Sequence, residues 1–373
     1  MIPTFDDWVR IALAAGVAFI VAFVTTPPVK RFAEHVGAID VPKDGRRVHD
    51  HPIPRMGGLA IFMGFVLSVL LFVNINTPVM GLLLGAVIIA VLGAVDDIIS
   101  LTPLVKLVGQ ILAALVAIRC GIVFDTISNP NFLSQNTFIQ IGWLSVPLTL
   151  LWIVGCTNAV NLIDGLDGLA VGVSAISSLT MFVVSLYVSD PFVSILLAAL
   201  VGACLGFMPY NLNPAKIFMG DVGSQLLGFI LSTVSILGLF KFHAIITFIV
   251  PVLALAVPLT DTIFAFFRRI ARGQSPFKAD RGHLHHRLLA MGMDQKQAVA
   301  VIYGISALLG LFAVLITGDG LHIRVVCLLL ALAVSITVWL FVFRHNTHLH
   351  APRPEAVEEA EQLEIEREAE KKN

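Results

Sequence analysis

Long apolar runs separated by short polar links dominate the chain. The longest uncharged run extends from Met56 to Val95 and ends on two adjacent aspartates, Asp96 and Asp97. A helix needs about 20 apolar residues to cross a bilayer. The pattern predicts eleven such spans: 8–28, 56–75, 78–95, 104–122, 143–160, 168–188, 191–209, 222–240, 244–267, 298–317 and 322–343. One run alone fits a buried helix of a soluble protein; eleven in series do not. The expected fold class is an all-α polytopic integral membrane protein, with residues 1–345 as one transmembrane domain and 346–373 as a charged tail. The first run reads as a span, not a signal peptide, because Asp6 and Asp7 stand where a basic leader would be.

Composition agrees: 57% of residues are hydrophobic and 13% charged, about half the charge of a soluble domain. Charge also orients the spans. Of the 24 Lys and Arg, twenty fall on the C-terminal side of the predicted topology, and only Arg10, Arg119, Lys241 and Arg324 fall on the other. The positive-inside rule then places the N-terminus outside and the C-terminus in the cytoplasm. With a net charge of -1 and no basic domain, nucleic acid is excluded as a partner. Cys120, Cys156, Cys204 and Cys327 lie in apolar runs without metal-ligand spacing and read as small buried hydrophobes.

The polar clusters all fall on the predicted cytoplasmic side. Asp96 and Asp97 are followed by Lys106. Adjacent carboxylates need a cation, a proton or water at the end of an apolar run. In Asn158-Ala-Val-Asn161-Leu-Ile-Asp164-Gly-Leu-Asp167-Gly168, four oxygen donors recur every third residue, which suits Mg²⁺ rather than zinc. In Phe218-Met-Gly-Asp221-Val-Gly-Ser224, an acid opens a span. Asp221 alone reads equally well as a helix cap. The run Ser275-Pro-Phe-Lys278-Ala-Asp280-Arg281-Gly-His283-Leu-His285-His286-Arg287 carries three histidines among basic residues and suggests an anion site, with zinc as the weaker reading. Lys43 and the run from Arg46 through Arg55 to Gly58 add basic groups, and Asp261 is an acid within the ninth span. Together these are parts for phosphoryl transfer between a charged soluble donor and a lipid-anchored acceptor.

These motifs resemble the polyprenyl-phosphate N-acetylhexosamine-1-phosphate transferases over roughly residues 10–340. The match rests on PRMGG at 54–58, VDD at 95–97, NAVNLIDGLDG at 158–168, FMGDVGS at 218–224 and SPFKADRGHLHH at 275–286. RRVHDHPIPRMGG and DRGHLHHRL are closer to the WecA/TagO branch than to MraY-type enzymes. The resemblance implies transfer of GlcNAc-1-phosphate from UDP-GlcNAc to undecaprenyl phosphate, with UMP released, at the bacterial cytoplasmic membrane. Such a step begins cell-envelope polysaccharide synthesis, such as teichoic acid or lipopolysaccharide O-antigen. It implies Mg²⁺, with Mn²⁺ as a substitute, and a homodimer as the assembly. Asp96, Asp97 and Lys106 would be catalytic, with the aspartates beside the acceptor phosphate. Asn161 and Asp221 would hold the metal. Phe218, Asp167 and Asp164 would bind uridine. Arg281, His283, His285, His286 and Arg287 would hold phosphates and sugar, and Lys43, Arg55 and Asp261 would contact the acceptor phosphate or nucleotide.

Two rivals stand beside this reading. An MraY-type enzyme would transfer phospho-MurNAc-pentapeptide. A secondary transporter of an anionic nucleotide sugar or lipid would place its polar groups near the bilayer midplane and be built from repeats. No internal repeat is evident, and the polar groups cluster on one side.

Overall fold

In a computed structural model, residues 4–41, 51–128, 138–188, 191–238, 245–273, 282–318 and 320–349 are described. Their helices are α1 (Phe5–His35), α2 (Gly58–Phe72), α3 (Thr77–Ile99), α4 (Pro103–Arg119), α5 (Ser145–Ile163), α6 (Leu169–Val188), α7 (Pro191–Asn211), α8 (Gly220–Gly238), α9 (Ile245–Ala254), α10 (Ala256–Ala271), α11 (Leu284–Ala290), α12 (Gln295–Thr317) and α13 (Leu321–Leu349). Among the described residues, each predicted span overlaps one of these helices, except the ninth, which overlaps two. Eight of the helical segments are long and apolar enough to cross a membrane: α1, α3, α5 with the turn before it, α6, α7, α8, α12 and α13. The chain is thus a polytopic helical membrane protein. Among the described residues there are also two small antiparallel ladders, β1 (Ile39–Asp40) with β2 (Ile53–Pro54), and β3 (Thr126–Ser128) with β4 (Phe138–Gln140).

The ninth predicted span is not one helix. It divides at Leu255 into α9 and α10. Pro258 has no N–H for the carbonyl of Ala254, four residues earlier. The Ser177 hydroxyl of α6 donates to that carbonyl at 2.5 Å, so the break is satisfied by a neighbour. Below the break, α10 turns its exposed face, with Ile263, Phe264, Phe267 and Ile270, away from the protein.

α8 is the axis of the bundle. From Val222 to Gly238 its residues are buried, and it packs against α2, α3, α5, α6 and α7. Small residues permit this closeness where lipid gives helices no hydrophobic reason to associate. Any side chain at Gly58 would overlap the backbone of Gly223, and one at Gly93 would overlap Val222. Likewise Gly202 and Gly206 of α7 face the α1 backbone at Ala15 and Phe19. α13 lies at the periphery and is largely exposed, as a lipid-facing helix should be.

Candidate active site

The C-terminal end of α3, the N-terminal end of α4, the C-terminal end of α5 and the N-terminal end of α8 meet at one end of the bundle. Asp96 and Asp97 are both buried there, but they have different partners. Asp97 Oδ1 accepts the Asp221 backbone N–H at 3.0 Å, and Oδ2 accepts that of Val222 at 3.3 Å. The Arg55 guanidinium lies 3.9 Å from Oδ1. Asp97 therefore caps α8 from another helix, where unpaired N–H groups and the positive end of the dipole favour an anion. Gly220, at φ +70°, allows this approach: a β-carbon there would strike the Asp97 carboxylate.

Asp96 faces the other way. Its Oδ1 accepts the Leu101 N–H at 2.6 Å, and its Oδ2 lies 2.5 Å from Lys106 Nζ. The same ammonium lies 2.6 Å from Asp221 Oδ2. Lys106 thus joins two carboxylates that come from elements more than a hundred residues apart in sequence. Asp221 is also within hydrogen-bonding reach of Asn161, whose amide donates to Ser224 Oγ at 2.8 Å.

The segment after α5 borders this cluster. Asp164 is its C-cap, with its carboxyl pushed up to about 8, first by burial and then by the charges of Asp221, Asp97 and Asp167. Asp167 Oδ2 accepts from Asn213 Nδ2 at 2.9 Å and from the Ala215 N–H at 3.0 Å, which fixes the turn before α8. Phe218 is half-buried, and its backbone is pinned between two segments: its N–H donates to Pro54 O at 2.8 Å, and its carbonyl accepts the Gly57 N–H at 2.9 Å. The PRMGG and FMGD motifs therefore form one backbone-bonded unit, which the sequence presents as two separate loops.

The histidine cluster docks beside the 161–168 segment. His285 packs so closely on Gly165 that no side chain would fit at that position. His283 Nδ1 pairs with Asp261 Oδ2 at 2.8 Å, and Asp261 Oδ1 accepts the Leu284 N–H at 2.9 Å. Asp261 thereby ties α11 to α10. Burial, and then His286 and His283, push the His285 imidazole down to about 4, so it is neutral at pH 7. Arg268 and Arg287 line a pocket between α10 and α11 with Thr260, Phe264 and Phe267. Lys43, Arg281 and the segment 274–281 lie outside the described residues.

The sequence reading did not single out two buried glutamines. Gln110 of α4 and Gln225 of α8 bond at 2.9 Å, and Asn158 of α5 joins Gln110 at 2.6 Å. Gln110 follows Lys106 by one helical turn, and Gln225 follows Asp221 by one turn. That spacing was the available signal.

Among the described residues, no three His, Cys, Asp or Glu side chains form a ready ligand set. The donor chemistry still fits a hard divalent cation. Asp96, Asp97, Asp164 and Asp221 share one neighbourhood with Lys106 and Arg55 as partner cations, and oxygen is the donor atom throughout.

Residues 79–239 match the family described as glycosyl transferase family 4. A probable undecaprenyl-phosphate N-acetylglucosaminyl 1-phosphate transferase of Bacillus subtilis is 42% identical over 312 residues, covering 83% of this chain and 86% of the relative. The chain belongs to the polyprenyl-phosphate N-acetylhexosamine-1-phosphate transferase family. A decaprenyl-phosphate N-acetylglucosaminephosphotransferase of Mycobacterium tuberculosis is 36% identical over 326 residues, 79% of each chain. A phospho-N-acetylmuramoyl-pentapeptide-transferase of Staphylococcus epidermidis is 31% identical over 329 residues, 83% of this chain and 98% of the relative. The identities favour the WecA/TagO branch of this family over the MraY type, and they make the chain a membrane phospho-sugar transferase that uses a polyprenyl phosphate.

Proposed function

We propose that the chain transfers GlcNAc-1-phosphate from UDP-GlcNAc to undecaprenyl phosphate in a Mg²⁺-dependent reaction, with UMP released. The observation that carries this is the convergence of Asp96, Lys106 and Asp221 at one end of the bundle, in a chain 42% identical to a relative named for that reaction. The topology we favour has eleven spans, with α9 and α10 as one broken span, the N-terminus outside and the site at the cytoplasmic headgroup level. Twenty of the 24 Lys and Arg support that orientation. The same reading puts the chain at the start of envelope polysaccharide or teichoic acid synthesis and allows a homodimer.

Asn161 and Asp221 would hold Mg²⁺, or Mn²⁺ in its place; bound there, the metal would offset the charge of the donor diphosphate. Lys106 is placed to share its charge between the carboxylates and an incoming phosphate. Asp96 is the better candidate to manage the acceptor proton, because its Oδ2 is held by the Lys106 side chain, which can swing to an incoming phosphate, whereas both Asp97 oxygens are held by the α8 backbone. A phosphate monoester has a second pKa of about 6, so the acceptor is mostly dianionic at neutral pH, and proton removal gives a modest gain. Positioning and charge neutralisation then carry most of the catalysis. Phe218, Asp164 and Asp167 are assigned to uridine, and His283, His285, His286, Arg281 and Arg287 to the phosphates and sugar. Lys43, Arg55 and Asp261 are assigned to the acceptor phosphate or nucleotide.

The test is turnover with undecaprenyl phosphate and, in parallel, UDP-GlcNAc, UDP-GalNAc and UDP-MurNAc-pentapeptide. UDP-GlcNAc should be the productive donor. Turnover with the pentapeptide donor alone would move the chain to the MraY type. We favour direct attack of the lipid phosphate on the β-phosphorus. A stoichiometric burst of UMP from UDP-GlcNAc without acceptor would instead establish a covalent phospho-sugar enzyme.

A further inference from the structure

Buried amides are costly in a membrane protein unless each finds a partner. Gln110 and Gln225 are almost wholly buried, and both are paired. Their shorter hydrogen bonds form a chain, and Gln110 Nε2 also makes a longer return bond to Asn158 Oδ1 at 3.4 Å. Asn158 Nδ2 donates to Gln110 Oε1 at 2.6 Å, Gln110 Nε2 donates to Gln225 Oε1 at 2.9 Å, and Gln225 Nε2 donates to Asp221 Oδ2 at 3.0 Å. Three linked amides thus lead, through their shorter bonds, to one carboxylate oxygen. Linked hydrogen bonds polarise one another and strengthen in a low-dielectric interior.

The same oxygen receives Lys106 Nζ at 2.6 Å. Lys106 and Gln110 stand one turn apart on α4, while Asp221 and Gln225 stand one turn apart on α8. The two helices therefore meet in two stacked rungs, one ionic and one amide. With Oδ2 held by two donors, the carboxylate plane has little freedom to rotate.

We infer that Gln225, Gln110 and Asn158 are positioning residues that fix the Asp221 carboxylate for cation binding, acting through Asp221 without touching the ligand. The inference rests on Asp221 being a cation ligand, as proposed above. Groups that orient a ligand from behind typically change metal affinity about 10- to 100-fold when removed.

The test uses the full chain in detergent, with Mn²⁺ as the probe. Its affinity is measured by electron paramagnetic resonance of free Mn²⁺, alongside elution and thermal melting as folding checks. Gln225→Leu should weaken Mn²⁺ binding about tenfold or more. It should also raise the Mg²⁺ concentration for half-maximal turnover, with turnover recovering at saturating Mg²⁺. A mere packing role would not produce that split. A folded Gln225→Leu chain with wild-type Mn²⁺ affinity overturns the inference. Gln110→Met probes the same rung from α4 and is judged by the same criteria if Gln225→Leu fails to fold. Asp221→Asn separates the two claims. If it binds Mn²⁺ as wild type does, the ligand reading and this inference both fall. If it weakens binding while the amide variants do not, only this inference falls.

Discussion

Replacing Asp97 with asparagine tests whether that residue positions α8 or performs chemistry. Both carboxylate oxygens accept backbone N–H groups, from Asp221 and Val222. Asn keeps one acceptor and turns an NH₂ donor toward the other N–H. One charge-assisted hydrogen bond is lost, at about 1.5–3 kcal/mol. Loss of the anion at the α8 dipole adds about 0.3–1 kcal/mol. The total is about 2–4 kcal/mol, which corresponds to roughly 30- to 700-fold in the population of a correctly seated α8 N-terminus. Because Asp221 is the second residue of α8, turnover should fall by a factor in that range. The assay is kcat/KM in detergent, with thermal melting and Mn²⁺ affinity measured on the same preparation. Asp97→Asn should insert normally, melt earlier and bind Mn²⁺ more weakly. Abolished turnover with unchanged melting and unchanged Mn²⁺ affinity would refute the positioning argument and make Asp97 the chemical group.

Two further outcomes follow from packing and charge. Gly58→Ala drives a methyl into the Gly223 backbone, where neither side is a flexible side chain, so destabilisation of about 3 kcal/mol is expected as a lowered melting temperature; an unchanged melt would show that α2 and α8 are not in backbone contact. For His285, the folded value of about 4 lies below the ordinary 6.5, so between those values the unfolded chain binds the extra proton and stability falls as pH drops. The loss should approach about 3 kcal/mol near pH 4 and vanish above pH 7. Melting curves from pH 7.5 to 4.5 should show a decline that His285→Gln reduces, and an equal decline in that variant would contradict the assignment.

Much of this was legible from hydropathy and spacing. The apolar runs located the helices because each must bury or lipid-solvate a full turn-by-turn surface. The polar motifs stood out because charge is costly beside such runs, and the structure brings Asp96, Lys106, Asn161 and Asp221 to one end of the bundle. Other features depend on tertiary context. Asp96 and Asp97 are chemically identical neighbours, and only the direction each takes from the end of α3 separates a lysine partner from a helix cap. Pro258 lies in the ninth predicted span, but that it divides the helix is visible only where Ser177 reaches the freed carbonyl. Gln110 and Gln225 look like ordinary polar interruptions until α4 and α8 are adjacent. Asp261 read as an acid within the ninth span, and only the docking of α11 brings His283 and Leu284 to it.

The glycine contacts around α8 also bear on how such an enzyme can diversify. Gly58 and Gly93 bring α2 and α3 to backbone distance of its first turn, and Gly220 leaves no space beside Asp97. Side-chain variation is closed on that half of the site, so a change there costs the fold before it alters chemistry. The opposite half is bordered by the 161–168 segment and α11, where contacts are made by side chains. On the roles proposed above, donor preference can shift on that half while the half that holds Asp97 stays fixed. Selections for altered sugar use should therefore accumulate substitutions around His283–Arg287 and leave Gly58, Gly93 and Gly220 untouched.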